Sequence, residues 1–182
     1  MSISDSFGGL GNISLNHLRS LVGQQLQAVG YRGELSDFHD ATAQDVDQAV
    51  VLTLESVTVV LEWYIDGVEE SLRLVVAPDE AATKDIPARD VSALRPWRSV
   101  VGSRIVSFGA ATQEAETGSW FAWALRIGFS NGEHIVVALG ELEGESVRYQ
   151  PENLVVLSDP EMAQSYQVLD APESAWGRDI AL

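Results

Sequence analysis

The sequence predicts a mainly β fold of the α+β kind: two related antiparallel β-meander halves forming a roll or partly open barrel, with short helices. Three observations predict it. One segment returns 79 residues later, apolar residues alternate strictly over several stretches, and turn residues separate those stretches.

The repeat comes first, because a missed repeat misreads a whole fold. Leu18-Arg19-Ser20-Leu21-Val22-Gly23 returns as Trp97-Arg98-Ser99-Val100-Val101-Gly102, and the same spacing sets Leu26 on Ile105, Val29 on Phe108 and Gly30 on Gly109. Glycines that recur with the same separation point to the same backbone turn. Each half then reads as a short N-terminal turn, a strand (about 24–31 and about 103–110), and a hairpin or meander.

Alternation locates the strands that follow. Phe121, Trp123, Leu125, Ile127 and Phe129 alternate, as do Ile135, Val137 and Leu139, with Ser130-Asn131-Gly132 between the two runs. A three-residue loop with Gly132 left-handed pairs Ile127 with Ile135 and Leu125 with Val137, so both apolar rows meet on one face; a two-residue loop would set them on opposite faces. In the first half Val50, Leu52 and Leu54 alternate, as do Val57, Val59, Leu61 and Trp63, with Glu55-Ser56 as the turn. A second turn at Asp66-Gly67 pairs Leu61 with Leu72 and Val59 with Leu74. Matching Val57-Val59-Leu61 to Ile135-Val137-Leu139 needs a three-residue insertion near Asn131, relative to the match of Leu52-Leu54 to Ile127-Phe129. Val155-Val156-Leu157 supplies a last strand, and Asp159-Pro160-Glu161 opens a short helix over about 160–167.

The expected organisation is a first β-rich repeat over 1–78, a linker over 79–96 containing Pro87 and Pro96, a second repeat over 97–158, and a short helix with a loose tail over 159–182. Ser36 to Gln48 reads as an irregular surface loop.

Composition limits the chemistry. The chain has 182 residues, 46% of them hydrophobic, enough to bury a core. It has no cysteine, so disulfides, thiolate nucleophiles and thiolate-bound metals are excluded. No stretch approaches the roughly 20 apolar residues of a membrane helix, and Met1 to Asp5 carries no signal-like pattern, so a cytoplasmic location is expected. The net charge is −16, with Lys84 the one lysine. Such a surface repels phosphate backbones and anionic lipids, so neither nucleic acid nor membrane is an expected partner, and a basic protein is. The same charge equally serves solubility alone.

Motifs for catalysis are missing. There is no Gly-x-x-x-x-Gly-Lys-Ser/Thr loop, no Gly-x-Ser-x-Gly elbow and no His-Glu-x-x-His helix, and Gly9-Leu10-Gly11 lacks the third glycine of a dinucleotide fingerprint. His17, His39 and His134 lie far apart. No catalytic residue and no cofactor is expected. Asp37, His39 and Asp40, with Asp45 and Asp47 nearby, are the candidates for a metal, but Ala41 to Gln44 breaks the spacing of a calcium loop and a solvated acidic loop is the simpler reading. For partner binding the candidates are Glu62, Tyr64, Glu69 and Glu70. By parity Tyr64 points outward beside Glu62, and an outward aromatic among carboxylates is an anchor for a basic residue. Trp123 reads as a packing residue, and Trp120 faces the other way.

Leu21-Val22-Gly23 and Val100-Val101-Gly102, each opening a strand and hairpin in a small acidic chain without cysteine, give a likeness. The chain resembles the small bacterial domains found among polymorphic-toxin immunity proteins. The resemblance implies a protein that binds and blocks a toxin, with no catalytic residues. The expected function is therefore non-catalytic binding of a basic protein. The alternatives are a small-molecule binding protein or enzyme with its site in the cleft between the halves, and a module that self-associates through strand edges.

Overall fold

The computed structural model describes residues 10–34, 40–67, 69–77 and 87–182. In chain order the first half contains α1 (Leu15–Leu21), β1 (Leu26–Arg32), β2 (Ala43–Val46), β3 (Ala49–Leu54), β4 (Thr58–Asp66), β5 (Glu69–Ala77) and β6 (Arg89–Asp90). After a 3-10 turn at Trp97–Ser99 come β7 (Ile105–Glu114), β8 (Trp120–Phe129), β9 (His134–Leu139), β10 (Glu141–Glu143), β11 (Ser146–Arg148), β12 (Leu154–Leu157), α2 (Pro160–Ser165) and β13 (Arg178–Asp179). The fold is mainly β. Its sheets are antiparallel and do not close into a barrel.

One sheet has the order β5-β4-β3-β1-β6 and the other β13-β7-β8-β9-β12-β2, with β10 and β11 as a separate ribbon. Read from β6 and from β13, the two orders match strand for strand, and β2 is an added edge on the second sheet. The halves meet through the repeated turns. Gly23 and Gly102 sit at φ +88° and +89°, the left-handed region that favours glycine. The Gly23 amide donates to the Ile105 carbonyl at 2.8 Å, and the Gly102 amide donates to the Leu26 carbonyl at 2.7 Å. Leu26 donates to Ser103 and Ile105 to Gln24, and a lone bridge joins Gln25 to Arg104. Every one of these bonds maps onto another when 79 is added to the first-half number. The halves are thus related by a local twofold axis through the Gln25–Arg104 bridge. One bulge corresponds as well, at Gln27 opposite the β3 end and at Val106 opposite the β8 end, whereas a second one, at Trp123 of β8, has no counterpart in the β1–β3 pair.

The β8–β9 hairpin has the predicted register, Ile127 with Ile135 and Leu125 with Val137, and Gly132 is left-handed at φ +87°. Glu55-Ser56 forms the predicted turn. The β4–β5 hairpin corrects its expected register: Leu61 faces Leu74, Val59 faces Val76 and Trp63 faces Leu72. Gly67, at φ +68°, opens the turn and Asp66 pairs with Glu69, a slip of two residues that leaves every side chain on its expected face. For the same reason the insertion near Asn131 is one residue: Leu52 pairs with Val59 where Ile127 pairs with Ile135.

Three segments expected to be irregular contribute strands. β2 lies inside the Ser36 to Gln48 stretch and pairs with β12, Val46 opposite Leu154 and Ala43 opposite Leu157. β6 lies in the stretch expected as a linker and pairs with β1, with Val91 buried behind it. β13 lies in the tail expected to be loose and pairs with β7, and Ala171, Ala175 and Ile180 are buried around it. β6 and β13 are repeat equivalents: Gly30 faces Asp90 as Gly109 faces Asp179, and Val91 donates to Val29 as Ile180 donates to Phe108.

One core joins both sheets. Leu26, Leu52, Leu61 and Leu72 from the first half and Ile105, Phe108, Leu125, Ile127 and Phe129 from the second belong to one buried cluster, and each such side chain contributes about 1.5–3 kcal/mol by leaving water. Trp123 is fully buried, as its packing role required, in an edge-to-face contact with Tyr166. α2 starts on an N-cap, Asp159 accepting from the Glu161 amide at 2.9 Å. Beyond it the chain crosses the side of β8 opposite Leu125 and Ile127, where Trp176 lies over Arg126.

Candidate functional site

The first sheet ends at β5, and β5 passes close to the start of β8. Between them lies a groove in two adjoining parts. In one part, of about 380 Å³, Asn12, Glu69 and Ser71 of the first half face Thr117, Trp120 and Phe121 of the second. The other part, of about 410 Å³, shares Glu69 and Phe121 and adds Glu70, Gln113, Tyr149 and Asp170. Both volumes fall in the range of ligand pockets. Aromatic rings and carboxylates line the groove together, and Leu169, also in the lining, has 83% of its surface exposed.

Local pairing builds this arrangement. Asn12 anchors the N-terminal segment on the β5 edge: its carbonyl accepts from the Leu74 amide at 3.3 Å, and its side chain donates to the Ser71 hydroxyl at 3.0 Å. On the far wall the Ala115–Ser119 turn holds Trp120 and Phe121 in place, the Ala115 amide donating to Ser119 at 2.7 Å.

The electrostatics are one-sided. Burial, and then the nearby charge of Glu152, raise the Glu70 carboxyl above the usual range. Burial, followed by Glu70 and Glu69, pushes the Tyr149 phenol up to about 12. Seven arginines pair with carboxylates elsewhere, and among the described residues no cation pairs with Glu69, Glu70, Glu152 or Asp170. A negative groove lined with aromatic rings favours a cationic group.

The four residues singled out for binding divide into two pairs. Glu69 and Glu70 line the groove. Glu62 and Tyr64 lie on the outer face of the β4–β5 hairpin, where Arg73 already occupies them. Its guanidinium donates to Glu62 Oε1 at 2.6 and 2.9 Å and stands 4.0 Å from the centre of the Tyr64 ring.

Of the metal candidates, Asp37 and His39 lie outside the described residues. Asp40 accepts from the Arg95 amide at 2.8 Å and from the Arg98 guanidinium at 3.1 Å, and these contacts hold its carboxyl below the usual range. Asp45 accepts from the Leu142 amide and Asp47 from the Glu34 amide. Among the described residues no group of three metal-binding side chains gathers. His17 is exposed on α1, and the His134 ring lies against Trp176 at 5.2 Å. Among the described residues no helix is long and apolar enough to cross a membrane.

Sequence reasoning missed Tyr149, Phe121 and Gln113 as groove residues, since only the packing of the two halves brings them to Glu69 and Glu70. Comparison with protein-family models, curated proteins and solved structures found no match.

Proposed function

We propose that the chain is a non-catalytic acidic binding domain that holds a basic protein partner in the groove between its halves, in the manner of the immunity-type inhibitors its repeated turns resemble. The observation that carries this reading is the groove itself: Glu69, Glu70 and Asp170 line it together with Phe121 and Tyr149, with no cation among the described residues to neutralise them. The net charge of −16 supports a basic partner and disfavours nucleic acid and anionic membrane, since like charges repel at long range. A basic toxin acting in the cytoplasm is the partner class that fits the resemblance.

Recovery of a partner from the native host at low salt, followed by kinetics with the purified pair, tests the reading. The expected result is one basic protein whose association rate falls steeply with ionic strength. Recovery of no basic protein, or a rate indifferent to salt, would overturn it.

A second reading has its own observation. The raised Glu70 carboxyl is the kind of group that serves as a general acid, and the part of the groove it lines, of about 410 Å³, is large enough for a small molecule. Screening the chain against small cationic metabolites by thermal shift separates this reading from the first.

A further inference from the structure

We propose that the groove recognises an arginine side chain of the partner, its guanidinium placed between the carboxylates of Glu69 and Glu70 and the ring of Tyr149. This inference rests on the binding reading above and names the group bound.

The molecule contains two worked precedents. Arg73 lies over the Tyr64 ring while donating to Glu62. Arg126 lies over the Trp176 ring at 4.5 Å while paired with Asp179. In both, a planar cation uses its face on an aromatic ring and its edge on a carboxylate. An ammonium group lacks that combination, because it is a compact point charge with no flat face. The groove presents the same two elements, carboxylates of Glu69 and Glu70 beside a phenol ring, inside a cavity of about 410 Å³ and without an internal arginine among the described residues. Tyr149 is half-buried and Phe121 lines the same groove, so a cation bound there would be partly desolvated. The exposed Leu169 in the lining offers apolar contact to the residues that flank the arginine.

The test titrates the intact chain with acetyl-Gly-Gly-Arg-Gly-Gly-amide and with its lysine and citrulline counterparts, following the Tyr149 ring resonances by NMR. The arginine peptide is expected to shift Tyr149 saturably and to bind about tenfold more tightly than either counterpart. Glu69→Gln with Glu70→Gln should weaken it by about tenfold or more, and Tyr149→Leu similarly, whereas Tyr149→Phe keeps the ring and most of the binding. Glu62→Gln, in the constellation already filled by Arg73, is the control and should change nothing. Melting curves confirm that each variant is folded. Equal binding of the lysine peptide, or undiminished binding by the Glu69→Gln/Glu70→Gln chain, overturns the proposal. If that double variant still holds a basic partner recovered from the host, the binding function stands and only the groove assignment falls; if no such partner exists, the function itself falls.

Discussion

The Trp97 indole donates to the Tyr31 phenol oxygen at 2.5 Å, and Tyr31 in turn donates to Gln44 Oε1 at 2.7 Å. The three residues come from the turn between the halves, from β1 and from the crossing strand β2, and all are buried. Burial keeps the phenol far above its ordinary pKa, so it stays a neutral donor at any working pH. Tyr31→Phe leaves an indole N–H without its acceptor in the core. The expected loss is about 2 kcal/mol in denaturant unfolding, with unchanged m-value. A loss below about 0.5 kcal/mol would mean that the hydroxyl contributes only packing.

The left-handed turns at Gly23 and Gly102 should respond alike to substitution. A methyl group at either position meets no atom within 4 Å, so the cost is conformational and not steric crowding. Gly23→Ala and Gly102→Ala are each expected to destabilise by about 1–2 kcal/mol, and asparagine should recover part of it. Chemical denaturation of the two single variants measures this. Clearly unequal costs would break the local twofold equivalence.

Glu70 carries a raised pKa, so its folded form binds a proton more readily than its unfolded form. Its ionisation therefore opposes folding, and its contribution to stability falls as pH rises from the ordinary glutamate range through the folded pKa. Glu70→Gln should raise Tm relative to the parent at pH 7, and the gain should vanish near pH 4, where the parent carboxyl is also neutral. Paired melts at the two pH values decide it. In the same variant the Tyr149 phenol should titrate lower than about 12, though burial, the larger cause, remains.

Arg126 is 6% exposed at its side chain, whereas its partner Asp179 is 89% exposed. Asp179→Ala leaves a buried guanidinium with, among the described residues, only the Trp176 ring. The expected cost is on the order of 2 kcal/mol, below that of a fully buried pair because water reaches Asp179. Arg126→Met removes both the charge and its desolvation and should cost less. Urea midpoints for the two variants test the order, and the reverse order would show that the ring alone satisfies the cation.

The legible parts of this fold were those carried by side-chain period and by glycine. Gly23 and Gly102, and the Ile127–Ile135 register, follow from patterns that admit one solution. The β4–β5 register did not, because a two-residue slip preserves which face each side chain takes. That slip hid a functional fact: it set Ser71 opposite Glu62 and Glu69 opposite Tyr64, where the folded hairpin sets Arg73 and Ser71. The expected anchor among carboxylates is therefore a site the chain fills itself. β2, β6 and β13 are too short for any period to show. Arg89-Asp90-Val91 and Arg178-Asp179-Ile180 did carry a signal, but their spacing differs from 79, so a search at constant offset passes over them. Glu69 and Glu70 were legible as acids, whereas Tyr149 reaches them only across the packed halves.

The strand β2 has a consequence for how the molecule could be divided. It leaves the first half to pair with β12, while β6, lying past the stretch between Ala77 and Pro87, completes the first sheet. A chain severed between those two residues would yield two polypeptides, each lending a strand to the sheet of the other. Such fragments should reassemble as a complementing pair, and neither should persist as a well-ordered body by itself.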